Sequence, residues 1–446
     1  MNILVINGSP KGKYSTTLHT CLYLEKKFPE HRFSYLNAAQ GIRSLEKDFS
    51  PALQKINEAD LLLFSYPVYT FLVPCQLHRF IELMKESGVP FSGKVATQVS
   101  TSKHFYDITA HRFMQQNISD MDIHFLDGLS ADMDDILTPE GQKQAVDWMK
   151  FVLWKMEREE FVSDIRLTGS YVPGRASVPG EPASKKEGKR AVVVADFREG
   201  DESLHAMVDR FVSVFPYEVD VIDIGKFPFG GGCLSCFNCA TTGKCVYKDG
   251  FDSYLRDTIN KHDAILYAFR IKDHSMGSRF KMYDDRQFCN GHRTVTEGTP
   301  FGYLVAGDYQ CEDNLRLLLE ARAQVGGNFL AGVATDGQGV DRDIDTLSST
   351  IAYAMEGGYA PPRNFLGVGG MKIFRDLIYM MRGMMRADHK FFKSHGQYDF
   401  PQKKWKTSMM MYLVGWMMGN RKMKSKMGSK MNEGMIAPYK KVIDNA

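Results

Sequence analysis

No stretch of this 446-residue chain reaches the ~18 consecutive apolar residues that a membrane-spanning helix requires; the longest candidate, Met409 to Met418, falls well short. The opening Met-Asn-Ile-Leu-Val-Ile-Asn lacks the basic region, apolar centre and cleavage site of a secretory signal, so a cytoplasmic protein is expected. A GxxxxGK[ST] loop is missing, which argues against an NTPase. No GxGxxG follows the first strand, which argues against a Rossmann dinucleotide site. Charge of one sign is scarce overall, with a net of +3, but it is unevenly spread. From Asn364 onward sixteen Lys and Arg face five acids, leaving +11 in the tail and −8 in the rest. That asymmetry suggests a basic docking segment. No recognised nucleic-acid-binding module frames it, and no nucleic acid partner is expected. Cysteines number only eight, and in a reducing compartment they favour metal binding over disulfides.

The length implies two or three domains, and 43% apolar with 24% charged residues describes a soluble globular chain with ample core material. Asn2 to Asn7 reads as a strand that stops at Gly8-Ser9-Pro10-Lys11-Gly12-Lys13-Tyr14-Ser15-Thr16-Thr17, with a helical pattern after it. Strand, hydroxyl-rich loop and helix start is the arrangement that holds a phosphate, although Ser and Thr also cap helices whatever the ligand. Further strands are expected at Arg32 to Leu36, Ala59 to Tyr66, Lys94 to Val99 and near Met121 to Leu126, before a closing helix from Glu140 to Glu157. Two strands run into loops of chemical interest, Pro67-Val68-Tyr69-Thr70-Phe71 and Ser100-Thr101-Ser102-Lys103-His104. Such βα units build a doubly wound sheet that binds ligands at the carboxyl ends of its strands.

Gly-Ser-Pro-Lys-x3-Ser-Thr followed by Tyr-Pro-Val-Tyr-x-Phe resembles the flavodoxin-like NAD(P)H-dependent FMN reductase family over the first ~160 residues. The resemblance implies that Ser9, Lys11, Ser15, Thr16 and Thr17 hold an FMN phosphate. Pro67, Val68, Tyr69, Thr70 and Phe71 would line the isoalloxazine, with Ser100, Thr101, Ser102, Lys103 and His104 on its polar rim. The family's Lys…Asp-Arg helix is replaced here by His78, Arg79 and Glu82.

Pro, Gly and charge without periodicity mark a linker over residues 166–189. A second set of strands restarts at Ala191, so two flavodoxin-like, doubly wound, parallel five-stranded sheets are expected, in domains 1–165 and 190–358. The chain looks like an internal duplication. Its second copy has four acids where the phosphate loop should be, from Asp196 to Glu202, and Phe269-Arg270-Ile271-Lys272 in place of Pro-Val-Tyr. It carries instead Cys233-x2-Cys236-x2-Cys239-x5-Cys245. Four thiolates this close suit a [4Fe–4S] cluster or zinc, or stand in an empty loop. The loop resembles that of iron–sulfur flavoproteins, and Lys281, Asp285 and Arg286 match the family's Lys…Asp-Arg helix. Cys21, Cys75, Cys289 and Cys311 are expected to be structural thiols.

Residues 359–446 form a helical extension, basic and rich in Met. Its helices either meet a membrane surface or partner, or cover the two domains. The function expected is FMN-dependent electron transfer with NAD(P)H or a reduced carrier as donor and a small molecule or protein as acceptor. Two alternatives stand beside it: a quinone or flavin reductase with vestigial cysteines, and a non-catalytic carrier docked to a membrane or protein. Oligomers are compatible with either.

Overall fold

The computed structural model describes residues 1–161, 171–179 and 182–419. It divides into two compact units, Met1–Lys390 and Phe391–Ala446.

Within the first unit lie two parallel sheets. Strands β1 (Asn2–Asn7), β2 (Arg32–Leu36), β3 (Leu61–Pro67), β4 (Val95–Ser102), β5 (His124–Phe125) and β6 (Leu129–Asp132) form one; β7 (Lys186–Ala195), β8 (Tyr217–Asp223), β9 (Ala264–Arg270), β10 (Pro300–Ala306) and β11 (Phe329–Thr335) form the other. Their orders are β2-β1-β3-β4-β5, with β6 also on β4, and β8-β7-β9-β10-β11. Counted within each half, both give the 2-1-3-4-5 order of the flavodoxin-like fold. Central strands are apolar on both faces because helices cover both: Ile3 to Ile6 and Leu61 to Phe64 are fully buried.

The single fifth strand expected in the first sheet is two short ones. β5 pairs with Val95 and Ala96, and β6 with Val99 to Ser102. Between them Gly128 lies so tightly on β4 that a Cβ would stand 2.2 Å from Gln98 Cγ and 2.8 Å from its carbonyl oxygen. In the second half, β7 begins at Lys186, inside the Pro- and Gly-rich stretch, with a register shift between Lys186 and Arg190. Residues 171–179 have no regular structure but are held to the second sheet: Ser177 N donates to Asp341 Oδ1 at 2.9 Å, and the Tyr171 hydroxyl donates to Asp336. The rest of the expected linker, 162–170 and 180–181, lies outside the described residues.

The two halves meet through equivalent helices. Cys75–Glu86 follows the third strand of the first sheet and packs on Gly277–Arg286, which follows the third strand of the second. Asp107–Asp120 packs likewise on Asp313–Gly326. One apolar core runs through the junction, joining Phe80 and Phe113 to Phe280, Tyr283 and Leu315.

The pairing is repeated at the level of single bonds. Each third strand ends in the same tight turn, Tyr69–Leu72 in one half and Lys272–Ser275 in the other, each closed by two backbone hydrogen bonds. Thr70 and Phe71 in the first, and Asp273 and His274 in the second, have φ between +42 and +71°. Such left-handed non-glycine residues persist only where their surroundings hold them. Here the opposite half does so. Asp285 accepts Cys75 N–H at 2.9 Å and the Thr70 hydroxyl at 2.6 Å. Lys281 donates to Tyr69 O at 3.0 Å, to Thr70 Oγ1 and to Asp285. In the mirror position Glu82 accepts Ser278 N–H at 2.8 Å, and His78 Nε2 stands 3.6 Å from Asp273 Oδ2. His78 and Glu82 are thus the positional counterparts of Lys281 and Asp285, and all four are buried.

In the second unit, the helix Trp405–Gly419 is apolar, with Trp405, Tyr412, Leu413 and Trp416 all exposed. Among the described residues no helix is long and apolar enough to cross a membrane.

Candidate functional site

At the carboxyl end of the first sheet the loop after β1 folds into a single tight turn, Gly12–Tyr14, and a twelve-residue helix, Thr16–Lys27. Ser15 caps that helix by accepting Leu18 N–H. Asn7 holds the loop by donating to Gly12 O at 3.1 Å and accepting Ser9 N–H at 3.1 Å. The first-turn N–H groups, the hydroxyls of Ser9, Ser15 and Thr16 and the Lys11 ammonium therefore converge on one end of a helix, where an anion is stabilised.

This loop forms one side of a cavity of about 350 Å³. Ser9, Lys11, Ser15, Thr16, Pro67 to Phe71, Thr101 and Ser102 line it, and so do Cys233, Cys236, Cys239 and Cys245 from the second half. Two expected cofactor residues stand behind the wall. Thr17 is fully buried with its hydroxyl 2.5 Å from that of Thr101, and Ser100 is fully buried with Oγ 2.7 Å from His111 Nε2. Burial pushes His111 down to about 4, so its imidazole is neutral at pH 7. His104, expected on the polar rim, is turned to Asp107 and Ser130 instead.

An aromatic wall and a tyrosine oxygen complete the first half's share. Phe71 packs on Phe105 and Tyr106 with ring centroids 5.0 and 4.4 Å apart. Tyr69 is buried in the lining with Ser235 of the cysteine loop beside its hydroxyl, which makes no well-formed hydrogen bond among the described residues. A buried phenol left without a partner costs about 1–3 kcal/mol, so it fits a site that a polar ligand completes. Hydroxyls and a cation at one end and an aromatic wall with an unpaired phenol at the other match a phosphorylated planar ring such as FMN.

The cysteine loop runs from β8 to the helix Phe251–Asp257. Ser235 and Phe237 have φ of 50 and 60°, and these two left-handed residues fold the loop back on itself around Cys236. It is pinned on both flanks. Arg286 donates to Gly231 O at 2.8 Å and to both oxygens of Asp249, and Cys245 N–H donates to Asp252 at 3.0 Å. Gly232 rests so closely on the first half that a Cβ there would stand 2.3 Å from Cys75 Sγ. Lys11 crosses to the same loop, its Nζ 5.1 Å from the centre of the Phe237 ring.

Burial pushes the Cys233 thiol up to about 12 and the Cys239 thiol up to about 11, the Asp388 carboxylate adding to the second. Both are protonated at pH 7 on their own, so they are poor free nucleophiles and become thiolates only beside a bound cation. A tetrahedral zinc site with Zn–S of ~2.3 Å needs sulfurs about 4 Å apart. Among the described residues no three cysteine sulfurs come within 4.8 Å of one another. The donor set is four cysteine sulfurs on one loop that are not gathered about a single point, a set that a cluster with iron and sulfide between them would bridge.

The corresponding loop of the second half is filled by its own side chains. Arg279 donates to Asp196 and to Phe197 O, Arg198 pairs with Asp196 at 3.1 Å, and Arg270 pairs with Asp201. Guanidinium groups and carboxylates neutralise each other where the first half offers hydroxyls.

Several lining residues were not marked by the sequence: Phe105, Arg286 to Arg293, Arg322, Ile373, Phe374 and Leu377. Apart from Phe105 of the first half, and Arg286, which the sequence marked only as part of the Lys…Asp-Arg helix, they come from the second half and the C-terminal extension, so their signal is tertiary. Cys289 and Cys75, expected to be structural thiols, flank the cysteine loop, the former in the lining.

Residues 1–120 match the family model described as NADPH-dependent FMN reductase. Over 54 residues the chain is 32% identical to an iron-sulfur flavoprotein of Clostridioides difficile, a match spanning 12% of this chain and 24% of that relative. Among solved structures it is similar to an FMN-dependent NADH-azoreductase of Bacillus anthracis, with 11% identity, TM-score 0.27, and 35% of this chain and 99% of that one covered. A NAD(P)H:quinone oxidoreductase of Methanothermobacter marburgensis gives 11% identity and TM-score 0.28, over 35% and 96%.

Proposed function

We propose that the protein is an FMN-dependent oxidoreductase that takes electrons from NAD(P)H or a reduced carrier, with a [4Fe–4S] cluster on Cys233, Cys236, Cys239 and Cys245. One observation carries the reading: the hydroxyl- and lysine-bearing loop of the first half and the four-cysteine loop of the second line the same cavity. The family match over residues 1–120 supports the flavin.

Ser9, Ser15, Thr16 and Lys11 hold the phosphate, and the Tyr69–Phe71 turn with Phe105 holds the ring. When bound, FMN supplies the hydride and one-electron chemistry, and the protein supplies orientation and electrostatics. Lys281 and Asp285 keep the turn in its left-handed conformation, so the second half positions the first half's binding residues. Arg322, 2.6 Å from Asp284 and with its guanidinium 5.6 Å from the Phe71 ring centre, contributes positive charge to the wall. Positive charge there favours an anionic reduced ligand.

Anaerobic purification with FMN, iron and sulfide measured per chain, and EPR after reduction, tests the reading. About one FMN with four iron and four sulfide is expected. FMN without iron leaves the quinone or flavin reductase with vestigial cysteines; an absence of flavin removes the reading altogether.

The exposed apolar helix Trp405–Gly419 supports a peripheral contact with a membrane surface. Lys403 and Lys404 precede it, Lys406 lies in its first turn, and Arg421, Lys422, Lys424 and Lys426 follow it in the sequence. Tryptophans near both ends and flanking cations suit the headgroup layer of an anionic bilayer. The arginine- and lysine-rich residues beyond 419 lie outside the described part of the chain.

A further inference from the structure

The two halves grip each other's turns with different chemistry. On one side the chain supplies its own cation: the Lys281 ammonium joins Asp285 to Thr70 Oγ1 and, at 3.0 Å, to Tyr69 O. On the other side His78 stands for the lysine, Glu82 for Asp285 and Asp273 for Thr70. A nitrogen donor and a second carboxylate thus take the places of an ammonium and a hydroxyl.

One ligand atom from each of His78, Glu82 and Asp273 lies within 4.8 Å of the other two. His78 and Glu82, four residues apart, share a face of the helix Cys75–Glu86, and Asp273 reaches them from the turn of the opposite half. The site is closed, with His78 fully buried and the Asp273 side chain 6% exposed. Both ring nitrogens of His78 and Asp273 Oδ2 are buried without a well-formed hydrogen bond among the described residues, which costs stability unless a ligand meets them. Nε2 and Oδ2 are 3.6 Å apart, too far to bond directly. Two ligands ~2.1 Å from a shared ion stand about 3.4 Å apart at the tetrahedral angle, close to that spacing. Glu82 Oε2 is engaged by the Ser278 hydroxyl, Arg79 and Lys272, but Oε1 accepts only Ser278 N–H and keeps a lone pair.

The neighbouring cations do not cancel the negative charge. Arg79 and Lys272 lie 2.8 and 3.3 Å from Glu82, and Lys85 3.1 Å from Asp273 Oδ1, but Glu46, Glu86 and Asp120 share them. Even with His274, between Asp120 and Glu312, counted as charged, six carboxylates face four cations.

We propose that His78, Glu82 and Asp273 bind a divalent transition-metal cation of the zinc class, which holds the second half's turn as the Lys281 ammonium holds the first's. An imidazole nitrogen beside two carboxylates suits Zn²⁺ better than Mg²⁺ or Ca²⁺, which take all-oxygen sets. The ion ties helix to turn across the junction, away from the cavity, so its binding does not depend on the flavin.

The wild-type chain, stripped with EDTA and equilibrated with Zn²⁺, should hold one zinc more than His78→Gln, whatever the cysteine loop retains. It should also show the larger zinc-dependent rise in melting temperature. His78→Lys restores an ammonium of the chain's own: it should hold no more zinc than His78→Gln, yet melt above it without added metal. X-ray absorption at the zinc edge of the Cys236→Ser/Cys239→Ser chain reads the ligands with all three residues in place. Nitrogen and oxygen at ~2.0–2.2 Å are expected there. Equal zinc contents in wild type and His78→Gln, no zinc in the double-serine chain, or sulfur at ~2.3 Å around it, each overturns the proposal.

Discussion

Asp285 of the second half accepts the backbone N–H of Cys75 in the first, at 2.9 Å, with neither residue open to solvent. The bond fixes the start of the helix that follows the flavin turn, and Glu82 returns it to Ser278 across the junction. Cofactor loop and opposite half therefore form one electrostatic unit.

Replacing Asp285 by Asn leaves the buried Lys281 ammonium with only Asp284, 3.6 Å away and already paired with Arg322. Breaking a buried pair on one side costs about 3–5 kcal/mol. Urea unfolding at pH 7 should show a loss of that size. FMN affinity should fall at least tenfold, because the amide can accept from only one of Thr70 and Cys75 N–H and turns a donor toward the other. The double change Lys281→Met with Asp285→Leu should recover part of the stability and none of the affinity.

Thr16 and Thr17 are adjacent, but only Thr16 faces the cavity. Thr16→Val should weaken FMN binding severalfold while leaving riboflavin, which has no phosphate, unaffected. Thr17→Val should leave both ligands alone and cost about 1 kcal/mol of stability through its lost bond to Thr101. Fluorescence titration with the two flavins distinguishes these outcomes.

His274 lies between Asp120 of the first half and Glu312 of the second, 3.0 and 2.9 Å away. Burial alone would depress it, but the two carboxylates override that and raise it to about 9. A folded value above the unfolded one stabilises below the unfolded pKa of ~6.5, and the contribution is lost as pH rises through 9. The stability difference between wild type and His274→Gln should thus be largest near pH 6, on the order of 2 kcal/mol, and shrink toward pH 10. Equal differences across that range would contradict the assignment.

Serine at Cys236 and Cys239 should abolish iron and sulfide incorporation during anaerobic reconstitution. FMN content should stay near one per chain, since the residues proposed to hold the flavin phosphate and ring belong to the first half. Loss of both cofactors together would show that the cysteine loop is part of the flavin's seat.

Vesicle sedimentation checks the exposed helix. Binding to anionic phosphatidylglycerol vesicles should exceed binding to phosphatidylcholine, weaken with salt, and drop when Trp405 and Trp416 become Ser.

Local patterns exposed the sheets and the hydroxyl-rich loop after β1. Runs such as Leu61 to Phe64 have no polar face to misread, and the Ser- and Thr-rich turn lies within one stretch of chain. The fifth strand was harder: at the edge of its sheet it is broken where Gly128 meets Gln98, a contact between residues thirty positions apart. The cavity's far wall was illegible for the same reason carried further, since Arg322 and Phe374 lie some 250 and 300 residues from Phe71. His78 and Glu82 illustrate a subtler gap. In sequence they were departures from the family's Lys…Asp-Arg helix, and in the structure they stand in its place and grip the opposite turn.

The crossed grip has a consequence for how the chain was assembled and how it can be taken apart. Each half keeps buried polar groups that the other satisfies, Thr70 and the Cys75 N–H by Asp285 and Asp273 by Lys85, so neither is a self-sufficient module despite having a complete sheet. Nicking the peptide between residues 178 and 186 should yield two fragments that stay together through size-exclusion chromatography. Expressed singly, the first fragment should aggregate or lose its flavin, and the two should regain it when co-expressed. The tandem gene then encodes what is physically an obligate heterodimer, and later substitutions at one turn are constrained by the helix that holds it from the far side.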